Sequence, residues 1–350
     1  MKVLILKTSS MGDVIHCLPA VTDLLQNFPD AIVDWVVEEG LQDIPAFHPG
    51  VRRVIPIAIR RWRKRWLAAI GEIRNFRRTL RAESYDQVID AQGLVKSALV
   101  AGMAKGPVAG FDRQSAREPV ANFFYGKHVA VVRDMHAIER QRKLFAQIFD
   151  YQVPAELDYG LRQPKTLSSK VAPSKVAPSK VAPSKDIVFF HSTTWASKHW
   201  PDQYWLELAQ RCADSGYQVV LPYVDSLEQA RAETIAASVD SARTLPPGSL
   251  LELGRLLVAA AGAVSVDTGL GHLSAAFNVP LVAVYGPTSS RLTGIVGPRQ
   301  ASLADPVLDC APCLNRNCQY SPDSSNIYPP CFETVTPERV FQSLLQQMAK

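Results

Sequence analysis

The chain has 350 residues, 47% of them hydrophobic and 20% charged, an ordinary globular composition that excludes a disordered or fibrous protein. Its longest nearly apolar run, residues 256–266, is far shorter than the roughly 20 residues needed to span a bilayer, which excludes a helical membrane-spanning class. The net charge of +5 is unevenly placed: residues 48–82 carry eleven Lys and Arg against the single acid Glu72, a net +10, leaving −5 for the remainder. That asymmetry predicts one face that meets an anionic partner.

Residues 3–6 read as a buried strand, followed by a loop at 7–12 and a helical pattern over 13–26, the opening of a βα unit. Met1-Lys2 leads straight into that strand with no secretory leader pattern, so the expectation is a cytoplasmic chain whose six cysteines stay reduced. Residues 32–37, 53–57 and 87–90 are further short apolar strands separated by polar or helical stretches. The grammar restarts at 186–190, with a helix near 203–215, a strand at 217–221, a helix near 227–237, and strands at 263–266 and 281–284. Strands alternating with helices predict α/β architecture, parallel sheets covered on both faces.

Between the halves, Val171-Ala-Pro-Ser-Lys175 is repeated at 176–180 and 181–185. A Pro every five residues blocks helix and central strand, so this is a linker. The predicted organisation is an N-terminal domain over 1–165, a linker over 166–185, a C-terminal domain over 186–335 and a last helix from 336 to 350.

In an open α/β sheet, ligands meet the carboxyl ends of strands, and four polar segments stand there or nearby. Lys7-Thr-Ser-Ser-Met-Gly-Asp13 has one glycine, too few for a dinucleotide fingerprint, and lacks the P-loop signature. Asp13 reads either as a helix N-terminal acid or as a general base. Ser265-Val-Asp-Thr-Gly-Leu-Gly-His272 offers small residues and a helix start to an anion, or a tight turn capped by Asp267. His191-Ser-Thr-Thr-Trp-Ala-Ser-Lys198 supplies hydroxyls and an ammonium suited to a pyrophosphate, unless Lys198 is a solvated charge. Arg60-Arg-Trp-Arg-Lys-Arg-Trp66 is either a solvated face or a nucleic-acid surface, the latter opposed by the absence of any recognised reading module. Cys310, Cys313, Cys318 and Cys331 are enough thiols for a structural zinc, without the tight second pair of a zinc ribbon.

Taken together, these segments resemble the ADP-heptose lipopolysaccharide heptosyltransferases, glycosyltransferase family 9, and within them the branch that adds the first heptose. The resemblance rests on Lys7-Thr-Ser-Ser-Met-Gly-Asp13-Val, Asp34-Trp-Val-Val-Glu-Glu-Gly40, Ala58-Ile-Arg-Arg-Trp-Arg-Lys64, Val88-Ile-Asp-Ala-Gln-Gly-Leu-Val-Lys-Ser97, Ala116-Arg-Glu-Pro119, Lys198-His-Trp-Pro201 and Ser265-Val-Asp-Thr-Gly269, over roughly residues 1–300. It implies a GT-B fold, two Rossmann-like doubly wound domains facing a cleft, with the acceptor on the N-terminal side and the nucleotide sugar on the C-terminal side. The implied reaction moves L-glycero-D-manno-heptose from ADP-heptose to the first Kdo of Kdo2-lipid A with inversion, and requires no cofactor or metal.

By the same resemblance Asp13 is the catalytic base. Thr193, Thr194, Lys198, Glu228, Asp267, Thr268, Gly269 and His272 bind the donor, while Lys7, Ser10, Arg60, Arg61, Arg63, Lys64 and Arg117 face the acceptor. A lipid-anchored acceptor implies peripheral contact with the cytoplasmic face of the inner membrane, and no nucleic acid. The last helix is expected to pack back across the N-terminal domain. Three departures stand out: the Val-Ala-Pro-Ser-Lys repeats, Gly271 where a Ser is expected, and a four-cysteine segment closer to the branch that adds the second heptose.

Overall fold

Short apolar runs closed by polar turns become the strands of two parallel sheets in a computed structural model that describes residues 1–161, 184–305, 308–320 and 327–350. The chain divides into two units, Met1–Arg162 and Gln163–Lys350. In the first, β1 (Lys2–Leu6), β2 (Ile32–Glu38), β3 (Val51–Ile57), β4 (Gln87–Asp90), β5 (Val108–Phe111) and β6 (Lys127–Val129) lie in the order β3-β2-β1-β4-β5-β6. In the second, β7 (Asp186–Phe190), β8 (Gln218–Pro222), β9 (Ala242–Leu245), β10 (Gly262–Val266), β11 (Leu281–Tyr285) and β12 (Gln300–Ala304) lie in the order β12-β11-β10-β7-β8-β9.

Read from its other edge, the second order is the first one again. Both are doubly wound, and each reverses direction once, between β1 and β4 and between β7 and β10. The strands at those points are mostly apolar because helices cover both faces: Val3, Leu4, Ile5 and Leu6 of β1 and Val264 and Val266 of β10 are fully buried.

Several details depart from the pattern read in the sequence. The helix expected over 13–26 is two, Met11–Ile15 and Leu18–Asn27. Pro19 has no N–H, and its ring excludes the carbonyl four residues back, so a continuous helix cannot pass Ile15. Pro56, inside β3, is tolerated because β3 is an edge strand. The strands β6, β9 and β12 escape a hydrophobic reading because they are partly polar, as in Lys127-His-Val129 and Ala242-Arg-Thr-Leu245, and β5 because it is only the four residues Val108-Ala-Gly-Phe111. The repeats, apart from Ser184 and Lys185, lie outside the described residues.

The last helix, Pro337–Met348, is a correction. The sequence reading sends it across the N-terminal domain, but its apolar side, Val340, Phe341 and Leu344, is buried in the core of the second unit with Phe332 and Val335. Among the described residues no helix is long and apolar enough to cross a membrane.

One buried ion pair ties the first unit together. Arg142, on the helix Ala137–Phe149, donates to both oxygens of Asp23 on the helix Leu18–Asn27, at 2.7 and 3.1 Å, and also to the carbonyls of Pro154 and Glu156. Both side chains are almost wholly buried. Asp23→Ala strands a guanidinium without its counter-charge, so it is expected to cost about 3–5 kcal/mol. Urea unfolding reads this as a lower midpoint at similar slope, and an unmoved midpoint would remove the pair from the forces holding these helices.

Candidate active site

In the first unit, β1 and β4 part at the point of reversal and the loop after each is built from polar groups. The Gln92 side chain clasps the loop after β1: its Oε1 accepts from the N–H of Thr8 (3.0 Å) and Ser9 (3.3 Å), and its Nε2 donates to Ser9 O (2.6 Å). Trp35 Nε1, from β2, donates to Lys7 O at 3.1 Å. The loop after β4 is fixed in turn by the buried Asp90, whose carboxylate accepts from the N–H of Gln92 and Gly93, from Ser97 Oγ and from Tyr125 OH. These loops are rigid because side chains from neighbouring strands satisfy their backbone groups.

Asp13 stands on this frame in the first turn of the helix Met11–Ile15. Ser10 donates to Asp13 Oδ2 through both its N–H and its hydroxyl, each at 2.9 Å, while Lys7 Nζ lies 3.9 Å from Oδ1. The side chain remains 35% exposed. Burial works to raise its pKa, but Lys7, the two Ser10 donors and the charge of Arg117 outweigh it and hold the carboxyl below its ordinary value. Asp13 therefore caps its helix and also presents an ionised, partly open carboxylate oxygen. The two roles read from the sequence are compatible.

Lys7 and Ser10, both read as acceptor contacts, stand beside Asp13, with Ser10 exposed. Lys7 is only 4% exposed and commits its ammonium to Ala91 O at 2.9 Å and to the field at Asp13, so both residues act on Asp13. Arg117 is exposed, in the turn beside Gly93, whose carbonyl accepts from Glu118 N. Arg60, Arg61, Arg63 and Lys64 form the helix Ile59–Lys64 that follows β3 at the same carboxyl edge of the sheet. Arg60 N–H is held by Glu38, and the Arg61 guanidinium by Glu39 and Glu72.

The second unit repeats the plan at the ends of β7 and β10. Lys198 closes the turn Ala196–Lys198 and donates to Asp267 Oδ2 at 2.7 Å. Thr288 Oγ1, from the loop after β11, donates to the same oxygen at 2.7 Å, and His272 Nε2 stands 4.0 Å from Oδ1. The Trp195 ring carries two cations, with Lys198 Nζ 4.6 Å and the Arg316 guanidinium 5.5 Å from its centroid. Thr268 is the N-cap of the helix Gly269–Ala276, whose first N–H groups are the orphan donors of any helix start. An ammonium beside a helix N-terminus is a receptor for an anion.

Thr193 is partly exposed and Thr194 exposed in the loop after β7, where Thr193 O accepts from His199 Nε2 at 2.8 Å. Glu228 lies in the first turn of the helix Ser226–Ala236 that follows β8. Its carboxylate accepts from Val224 N at 2.8 Å, and burial pushes its pKa up. Gly271 has a local reason: a Cβ there would lie 2.6 Å from Ser265 Oγ, so that hydroxyl fills the space a serine side chain would need.

Thr288, Trp195, Arg316 and Gln92 were not among the residues singled out from the sequence. Thr288 carries no local signal, because the group it binds comes from another strand end, while Gln92 lies inside the 88–97 stretch that carries the resemblance, without a role of its own there. Trp195 does lie inside the 191–198 segment, where an aromatic beside the cation is the available clue.

Cys310, Cys313, Cys318 and Cys331 line one small pocket with Ser197, Pro287, Leu308 and Pro330. All four thiols are free, and burial with the neighbouring cysteines pushes Cys331 up to about 12. Among the described residues, no group of three or more His, Cys, Asp or Glu is arranged to hold a metal ion.

The model of glycosyltransferase family 9 (heptosyltransferase) matches residues 73–323. Lipopolysaccharide heptosyltransferase 1 of Pseudomonas aeruginosa is 46% identical over 98% of this chain and 97% of its own length, whereas lipopolysaccharide heptosyltransferase 2 of Escherichia coli is 26% identical over 84% and 85%. The solved structure of E. coli heptosyltransferase WaaC with ADP-2-deoxy-2-fluoro heptose superposes with a TM-score of 0.77 at 44% identity, covering 87% of this chain and 94% of that one. With two doubly wound α/β units and this likeness along nearly its whole length, the chain belongs to glycosyltransferase family 9, the heptosyltransferases.

Proposed function

We propose that this glycosyltransferase moves L-glycero-D-manno-heptose from ADP-heptose to the first Kdo of Kdo2-lipid A, at the cytoplasmic face of the inner membrane, with inversion at the anomeric carbon. The observation that carries the reading is the near-half identity to a lipopolysaccharide heptosyltransferase 1, which runs through both sets of strand-end loops and far exceeds that to a heptosyltransferase 2. The E. coli neighbour holding an ADP-heptose analogue supports the donor.

The residues described above have the chemistry this reaction needs. Asp13 takes the proton of the acceptor hydroxyl, whose oxygen then bonds to the anomeric carbon as that carbon's bond to the β-phosphate oxygen breaks. The bonding electrons leave with ADP, and its diphosphate meets Lys198 and the start of the helix Gly269–Ala276, electrostatic groups that gain most as charge develops on the leaving group. Thr193, Thr194, Thr268 and His272 add donors around the same anion, and Glu228 is assigned the ribose. Arg60, Arg61, Arg63, Lys64 and Arg117 meet the carboxylates and phosphates of the acceptor.

The test is ADP release with Kdo2-lipid A and, separately, with its heptosylated product as acceptor. Release on the unheptosylated acceptor alone is expected. Release only on the heptosylated one would move the chain to the second transfer, and release on neither would leave a binding protein.

A further inference from the structure

The cationic segment contains a feature that acceptor binding does not use. Between the helices Ile59–Lys64 and Ile70–Leu80, Trp66 is 64% and Leu67 65% exposed, and Ile70 is 38% exposed beside them. The other tryptophan of the segment behaves in the opposite way. Trp62 Nε1 donates to Glu72 at 3.0 Å and its ring packs edge-on to the largely buried Phe76, 5.7 Å away. Arg61, gripped by Glu39 and Glu72, and the buried Ala69, Phe76 and Leu80 fasten both helices to the unit. The exposed apolar tip therefore stands on an anchored base.

The same segment carries cations without a counter-charge. Among the described residues the side chains of Arg65, Arg74 and Arg77, not assigned to the acceptor, have no ion-pair or hydrogen-bond partner, and Glu72, the segment's one carboxylate, is already engaged by Arg61 and Trp62. An exposed Trp and two exposed aliphatic side chains in one segment with unpaired, exposed Arg match a bilayer surface: the apolar groups enter the headgroup boundary, and each cation near an anionic leaflet adds attraction. Single-stranded nucleic acid would use the Trp face but gain nothing from Leu67 and Ile70.

We infer that the 59–80 segment is a membrane-docking element, with Trp66 and Leu67 inserted into an anionic phospholipid surface and the unpaired Arg65, Arg74 and Arg77 bound to its headgroups. It rests on the proposed function in one respect, that a lipid-anchored acceptor is met at a bilayer. The element sets the protein on the surface where that acceptor resides.

The experiment is flotation of the full chain with phosphatidylcholine vesicles with and without phosphatidylglycerol, neither carrying acceptor, for the parent and for a Trp66→Ser/Leu67→Ser variant. Both positions are solvent-exposed, so the variant is expected to melt as the parent does. The expected result is binding that requires phosphatidylglycerol and falls about ten-fold or more in the variant. ADP release with a deacylated, soluble acceptor should be the same for both proteins, while release with acceptor embedded in vesicles should fall with binding. Equal binding by parent and variant would overturn insertion, and equal binding to both vesicle types would overturn the role of the cations. Preference for a single-stranded oligonucleotide over vesicles would reassign the face. Transfer to the soluble acceptor without vesicle binding would defeat this inference and leave the reaction standing; vesicle binding without transfer to any acceptor would do the reverse.

Discussion

Asp13→Asn is expected to lower kcat by about 10²–10⁴-fold, the range for losing a positioned acid–base group, while ADP-heptose affinity and the fold stay close to those of the parent. The substitution separates the two things this side chain does. An amide oxygen can still accept from the Ser10 N–H and hydroxyl, which now bind Oδ2, so the helix Met11–Ile15 keeps its cap. It cannot take a proton from an acceptor hydroxyl. If Asp13 were only a capping acid, the variant would keep its kcat and lose at most a cap's worth of stability, about 0.5–2 kcal/mol on cap deletion. ADP release together with a thermal melt decides it: unchanged turnover would remove Asp13 from the chemistry.

The environment of Asp13 also sets a pH dependence. Burial favours the neutral acid, but Lys7, the Ser10 donors and Arg117 win, so the folded pKa lies below the ordinary 3.8. A depressed carboxylate contributes stability above its unfolded pKa and loses it as pH falls through the folded one. As a base it is already ionised at and above about pH 5, so kcat/KM should show no acid limb from Asp13 there. Lys7→Met removes the nearest cation and should move the acid limb upward. A limb that does not move would show that Lys7 does not tune this carboxylate.

What the sequence disclosed follows from how far each signal reaches along the chain. β1, β2, β7, β10 and β11 are buried and mostly apolar because helices cover them on both sides, and the carboxyl ends of β1, β7 and β10 carry polar loops of the sites. β6, β9 and β12 are partly polar and β5 is only four residues long, so no run of residues announces them. The break before Pro19 was legible in principle, since the proline is there to be read, but an apolar helical period across 13–26 masked it. Other features depend on distant residues. That Lys7 is held by Ala91 O beside Asp13 cannot be read from its place at a strand end, and Gly271 looks like an anomaly until Ser265 Oγ is found in the space. The helix Pro337–Met348 was legible as a helix, but which apolar surface it covers is a property of the folded second unit.

Lys198→Ala is expected to lower turnover by about 10²–10³-fold, the scale for removing one group that meets charge developing in the transition state. Two effects add in the same direction. The donor's diphosphate loses an ammonium that is only 15% exposed and held over the Trp195 ring, where its charge is weakly screened. Asp267, left with Thr288 Oγ1 and a histidine 4.0 Å away, also becomes an uncompensated negative charge at a site that must receive an anion. The second effect can be isolated: Asp267→Asn in the Lys198→Ala background should recover part of the loss, because it removes the repulsion while leaving a side chain that can bond Thr288. The double-mutant cycle should therefore be non-additive, as expected for two groups in direct contact. Additive losses would mean that the 2.7 Å pair is incidental to donor binding, and parent-like kinetics of Lys198→Ala across donor concentration would place the diphosphate elsewhere.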